Sequence, residues 1–315
     1  APAYWSVASQ KRQVAAAVLK PDGYYYVRST FSVGNPSQLI ASLLEYCKPG
    51  GHLLLGIDVP IGLPIAYANQ VGITDFLTML PLLGTGKWSQ FYQVATTPDE
   101  ISLYRPFYPQ RPDHARISHL LHALNLGAIS DLRRICELGH LNRRPASPLF
   151  WTMGAQQVGK AAINGWKSVL ISGLSDPTSV LALWPFSGKF GELLKNRKVT
   201  FAETYPAEFY APLNIHFKKM GPTGSAGKRS VTARQAQGQT LLSWLSRLSV
   251  EISPEITCQI LTGFNDTASG EDSFDAMIGL IGLINCVVGL IPVFEPIDPQ
   301  ILQIEGWILG QAITT

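Results

Sequence analysis

The chain has 315 residues, 46% hydrophobic and 15% charged, with 25 Lys and Arg against 22 Asp and Glu. Charge this far below the usual quarter, with ample apolar surface to offset chain entropy, excludes disorder as the main state; the length allows one large domain or two modest ones. Cys47, Cys136, Cys258 and Cys286 lie too far apart for a disulfide scaffold or a zinc cluster. That usage fits a reducing compartment, which points to the cytoplasm, and a net charge of +3 names no partner.

The first 60 residues read as strand, strand, strand, helix, strand. Ala1-Pro2-Ala3 is followed by Tyr-Trp-Ser and not by an apolar run, so no signal peptide is expected. A short first strand, 1–6, runs to a hairpin tip at Gln10-Lys11-Arg12. The next strand, Gln13–Leu19 (QVAAAVL), ends in a Pro-Asp-Gly turn. Residues 24–33 (YYYVRSTFSV) are aromatic and β-branched, as strands prefer. Asn35 with Pro36 starts a helix whose apolar face is Leu39, Ile40, Leu43, Leu44 and Cys47. After Pro49-Gly50-Gly51, residues 52–57 are continuously apolar, as expected of a strand covered on both faces.

Residues 65–167 differ in character: short helices are expected at 73–83, 115–124 and 129–138, joined by pieces rich in Pro, Tyr and Trp. Strands return at 180–185 and 199–204. The Gly/Ser/Lys-rich segment 221–230 reads as a loop, and 240–248 as a helix. Residues 276–294 carry no charge, but Gly279, Gly282, Gly289 and Pro292 interrupt them and no Lys or Arg flanks them. They read as a buried core helix ending near Gly289, so no membrane partner is expected. The middle of the chain is basic and the last 65 residues hold nine acids and no Lys or Arg. The pattern suggests a mixed α/β sheet with helices on both faces, its first three strands too close for crossovers and so an antiparallel meander.

Three acidic motifs stand out. Asp58 follows the buried strand in GIDVPIGLP (56–64), at the strand end where α/β sheets bind ligands; the plainer role is to cap the next turn. Glu203 sits in AETYPAE (202–208), where an ionised carboxylate is costly to bury without partners; otherwise it faces water at the strand edge. Asp272 and Asp275 in GEDSFDA (270–276) share one face of a starting helix, where negative charge is favoured in any case. Together such carboxylates suit Mg²⁺ or Mn²⁺, which prefer oxygen ligands. The segment 221–230 has the wrong glycine spacing for a phosphate loop. His119 and His122 are three apart and read as surface or packing residues, and Tyr24-Tyr25-Tyr26 as strand packing.

GIDVPIGLP (56–64), AETYPAEFY (202–210), EDSFDAMIGL (271–280) and EGWILG (305–310) occur in an order and spacing that resemble a widespread uncharacterised family of predicted ribonuclease-H-like nucleases. The shared segments cover about half the chain. The resemblance implies a five-stranded mixed sheet whose first three strands form a meander, over 1–64 and 168–315, with 65–167 as a mainly helical insertion or cap. It implies a Mg²⁺ or Mn²⁺ site built by Asp58, Glu203, Asp272 and Asp275, with Glu305 of the Glu-Gly motif structural. The implied activity is phosphodiester hydrolysis on nucleic acid, with Arg105, Arg111, Arg116, Arg143, Arg144 and Lys160 of the insertion holding phosphates. The family's first strand carries an Asp; here Tyr4-Trp5-Ser6 is the nearest match. Either Tyr4 takes that place or the acidic strand lies upstream of Ala1. The alternatives are therefore a binding module that has lost the metal site, or a hydrolase of a small phosphorylated metabolite.

Overall fold

A computed structural model describes residues 1–4, 11–111, 114–140, 143–154, 157–175, 181–217, 227–267 and 269–312. The chain is α/β and divides into two compact units. The first comprises Ala1–Asp58, Leu194–Phe294 and Leu309–Ile313; the second comprises Val59–Leu193, Glu295–Ile308 and Thr314–Thr315. The expected insertion, 65–167, falls wholly in the second unit, which also takes in 59–64, 168–193 and 295–308.

The first unit is built on a mixed sheet. Its strands are β1 (Pro2–Tyr4), β2 (Gln13–Leu19), β3 (Tyr25–Ser32), β4 (Leu53–Ile57), β6 (Val199–Glu203) and β7 (Val250–Glu251); β5 (Leu181–Trp184) falls in the second unit. The spatial order is β6-β4-β1-β2-β3-β7. β1, β2 and β3 form the expected antiparallel meander, while β4 joins β1, β6 joins β4 and β7 joins β3 in parallel. The turn at Pro21-Asp22-Gly23 closes on two Lys20 backbone bonds and an Asp22 side-chain bond to the Tyr24 N–H, with Gly23 at φ +87°. Asn35 caps its helix as expected, through the Ser37 N–H, and that helix is one short turn followed by Leu39–Leu44.

The apolar run is the inner part of the helix Gly270–Val287, which is buried from Asp272 to Cys286. A helix apolar on every side belongs inside a protein or a membrane; among the described residues no helix is long and apolar enough to cross a membrane. Its glycines allow close packing. A side-chain carbon on Gly282 would lie 2.4 Å from the Phe209 ring, and one on Gly279 would lie 3.0 Å from Pro2. The helix stops at Val288, before Gly289 at φ +80°.

The second unit packs on aromatic rings: Phe76 and Phe91 meet Trp166, Phe107 meets Phe91 and Phe150, and the Trp166 indole donates to the Pro60 carbonyl. Its helices are short, as at Ile65–Val71, Ile117–Ala123 and Val158–Gly165. The stretch 129–138 is two single 3₁₀ turns and not one helix. Asp131 draws in the Gly127 and Ala128 N–H groups, and Glu137 draws in the Arg134 N–H, so each carboxylate closes its own turn. Glu305 is structural. Its buried carboxylate accepts from the N–H groups of Ile65 and Ile135, 3.0 Å each, and so ties three chain segments together.

Candidate functional site

The strand β4 delivers Asp58. In the parallel register Leu55 pairs Phe201, Gly56 pairs Ala202 and Ile57 pairs Glu203, and the Asp58 N–H donates to the Ala3 carbonyl. Asp58 and Glu203 thus stand at the same end of neighbouring strands, Asp58 one residue beyond the partner of Glu203. The β1 register pairs Ala3 with Ile57, which brings residue 4 level with Asp58 at that sheet edge. The side chain of Tyr4, and Trp5 and Ser6 entirely, lie outside the described residues.

The end of β4 packs against the long helix. Gly56 faces the long helix: a side-chain carbon there would lie 2.6 Å from the Thr204 methyl and 3.0 Å from Leu283. Asp58 lies one residue beyond the end of β4, in a bend. Glu203, the last residue of β6, pairs Ile57 and is buried, and its charge reaches Asp58.

The long helix supplies the other acids. Asp272 is 6% exposed and Asp275 is fully buried. Asp275 accepts a hydrogen bond from the Tyr210 hydroxyl at 3.1 Å and a charged one from Lys228, whose ammonium also reaches Glu271 at 3.6 Å. Burial and the Asp275 charge keep the Tyr210 phenol protonated, with its pKa well above the usual value. One oxygen of Asp272, Oδ2, is buried with no hydrogen-bond partner.

The acids strain one another. Burial, then repulsion from Asp275, pushes Asp58 up to about 8, with Lys228 opposing and Glu203 and Asp272 adding to the rise. Burial pushes Asp272 up to about 7 against the pull of Lys11. Asp275 is raised by burial, with Lys228 opposing. Carboxylates driven toward neutrality at one strand end mark functional sites more often than structural ones.

The acids are oxygen donors, the type a hard divalent cation prefers, and one buried oxygen, Asp272 Oδ2, has no partner. Among the described residues, however, no three His, Cys, Asp or Glu side chains are gathered so as to hold an ion. Lys228 supplies positive charge there instead.

Sequence reasoning missed Lys228 and its support, Arg234. The Arg234 guanidinium is 2% exposed and donates to the carbonyls of Lys228, Arg229, Gly263 and Asn265. The only signal was a Lys beside Gly227 in 221–230, a segment described here from Gly227 onward.

The basic candidates divide. Arg143 is buried and spends its guanidinium on the carbonyls of Cys136, Leu138 and Arg144. Arg105 pairs with Glu100 at 2.8 Å and donates to the Val94 carbonyl. Arg111, Arg116 and Arg144 are exposed. Lys160 is half-buried and held below its ordinary pKa by burial and by the nearby charge of Arg111. His119 packs on Tyr108, its Nδ1 lying 3.0 Å from the hydroxyl.

Comparison of the chain with protein-family models, with curated proteins and with solved structures finds no match.

Proposed function

We propose that this chain is a divalent-metal-dependent phosphodiester hydrolase, a nuclease on a ribonuclease-H-like sheet. Two features support the fold half of the reading. The meander β1-β2-β3 continues through β1 into the parallel strands β4 and β6, the five-stranded mixed sheet that the motifs imply. The acidic motifs also meet at one end of it.

The observation that carries the function is the mutual repulsion of buried carboxylates: the charges of Asp275, Glu203 and Asp272 all act on Asp58. Both Asp58 and Asp272 are driven toward neutrality, and Asp272 Oδ2 is left without a partner. In this reading Mg²⁺ or Mn²⁺ would be held by Asp58, Glu203, Asp272 and Asp275. A bound divalent ion activates water and steadies the leaving oxygen. Tyr210 holds Asp275 in orientation from behind. The exposed Arg111, Arg116 and Arg144 are the cations free to meet phosphates.

Purified protein with Mn²⁺ on single- and double-stranded DNA, RNA and hybrids tests this. Cleavage lost in Asp58→Asn and in Glu203→Gln is the expected result. No cleavage by the wild type, or equal cleavage in Asp58→Asn, refutes it. One observation favours a second reading, a binding module without metal: Lys228 already neutralises Asp275. Wild-type protein that takes up no Mn²⁺ in calorimetry supports that module.

A further inference from the structure

We propose that the second unit carries a binding site for single-stranded nucleic acid, in which Arg111 and Lys160 share one phosphate and the Trp151 indole stacks on a neighbouring base. The inference names a substrate class for the nuclease reading above, and its test runs without metal so that the two can fail separately.

Three chain segments are laced together at this place. The Tyr108 N–H donates to the Phe150 carbonyl at 2.9 Å, the Thr152 hydroxyl donates to the Tyr108 carbonyl, and the Arg116 N–H donates to the Tyr108 hydroxyl at 3.0 Å. The Gly159 N–H donates to the Trp151 carbonyl at 2.9 Å. A side-chain carbon on Gly159 would lie 3.0 Å from that same oxygen and 2.9 Å from the Phe107 ring, so a glycine lets the start of the helix Val158–Gly165 press this close. The bonds hold Lys160, the next residue, and Arg111, three residues past Tyr108, on segments that meet at Trp151.

The two cations are uncompensated. Arg111 is exposed and Lys160 half-buried, and among the described residues neither forms an ion pair. The nearby acids are committed elsewhere in the unit: Asp131 to the Gly127 and Ala128 N–H groups, and Glu137 to Arg134. Asp113 lies outside the described residues. Lys160 also stands in the first turn of its helix, where positive charge is disfavoured. Burial, then the charge of Arg111, holds its ammonium below the ordinary pKa. Two like charges set together at a helix start, with no acid between them, are relieved by a bound phosphate.

The rings decide which phosphate. Trp151 lies on Tyr108 with ring centres 4.6 Å apart and planes 19° apart, and His119 stacks on Tyr108 at 6.2 Å and 15°. Tyr108 is fully buried and Trp151 half-buried, so the buried ring backs the indole and leaves it an accessible end of the stack. Bases of a single strand stack on such a platform whatever their sequence, while cations beside it take the backbone. A duplex keeps its base faces covered and can use the cations alone.

The test follows the fluorescence anisotropy of a labelled oligothymidylate of about 12 nucleotides in EDTA. Arg111→Ala/Lys160→Ala should bind it about tenfold more weakly, with a slope of log affinity against log salt shallower by about 0.7, the value for one phosphate of a single strand. Lys195→Ala/Arg197→Ala removes the same charge from exposed positions elsewhere and should change affinity by less than about twofold. Trp151→Ala should weaken binding about tenfold, and Trp151→Phe should keep most of the affinity. Where Trp151→Ala does not fold, quenching of tryptophan fluorescence by the strand, smaller in Trp151→Phe than in the wild type, reads the same contact. Arg111→Ala should melt no lower than the wild type, because it relieves Lys160. A wild type that does not bind the strand, an equal loss in the control variant, or equal competition by polyglutamate overturns the site. Equal competition by duplex DNA, or quenching that Trp151→Phe leaves unchanged, overturns the choice of a single strand. Arg111→Ala melting several degrees below the wild type overturns the account of uncompensated charge. Binding without cleavage once Mn²⁺ is added refutes the hydrolase and keeps the site, whereas cleavage with an unchanged KM in Arg111→Ala/Lys160→Ala does the reverse.

Discussion

Asp58 should cost the fold stability at neutral and alkaline pH. Its pKa is pushed up to about 8, whereas an aspartate in an unfolded chain titrates near 3.9. A carboxylate raised on folding gives stability that is fully present below its unfolded pKa and is lost as pH rises through the folded one. The relevant window is therefore about pH 4 to 8. Over that window the gap amounts to a ceiling of about 5 kcal/mol. Asp58 is half-buried and not sealed, so water screening leaves about 2–3 kcal/mol of it. Asp58→Asn keeps the shape and removes the charge. Without metal it should melt above the wild type at pH 8, by about 5 °C for a chain of this length. The two should converge near pH 4.5. Circular dichroism melts in EDTA from pH 4.5 to 8.5 measure the difference. Parallel curves, or a wild type that melts higher at pH 8, would refute the account of a strained acidic site.

The same two carboxylates set the pH dependence of cation uptake. Asp58 at about 8 and Asp272 at about 7 must both shed protons first, so Mn²⁺ affinity should fall several hundred-fold from pH 8 to pH 6; affinity that ignores pH speaks against these ligands. Gly56→Ala drives a methyl into the Thr204 methyl at 2.6 Å and should destabilise by about 2 kcal/mol. Thr204→Ala in the same chain should recover much of that loss, and a strictly additive double mutant in urea unfolding shows that the two do not touch. Glu305→Ala strips partners from the Ile65 and Ile135 N–H groups and should cost about 3 kcal/mol by urea unfolding; a near-neutral result shows that the bridge carries no stability.

Elements with a strong period or a clear stop were legible from the residues alone. β2 is bounded by its Pro-Asp-Gly turn, and β4 and β6 are apolar runs that end at an acid. The long helix was legible because its apolar residues are too many for a strand and because Gly289 ends it. What escaped notice is non-local. β7 is two residues, Val250–Glu251, and exists because β3 offers it an edge. The 3₁₀ turns in 129–138 replace a helix because Asp131 and Glu137 fold back on backbone N–H groups, which no apolar period reveals. The four acids could be named, but the face each occupies depends on register. Glu203 is level with Ile57, a long-range pairing that no local pattern announces. Lys228 sits in a segment whose composition says only that it is a loop.

Helix-end electrostatics does not account for the acidic cluster. A helix N-terminus favours negative charge within its first turn and in contact with water. Glu271 and Asp272 meet the first condition, and half-buried Glu271 comes nearest to meeting both. Asp275 is the sixth residue of the helix and fully buried, beyond the reach of that effect. Asp58 is not on the helix at all. A carboxylate placed for packing alone would be replaced by an apolar residue at a gain in stability, and the carboxyl pKa of Asp58 shows how unfavourable its charge is there. Tyr210 and Lys228 oppose the rise that burial imposes on Asp275, while one oxygen of Asp272 stays unbonded. Lys228 is the cation in contact with Asp275 and Glu271, and its contacts leave one buried oxygen of Asp272 unbonded.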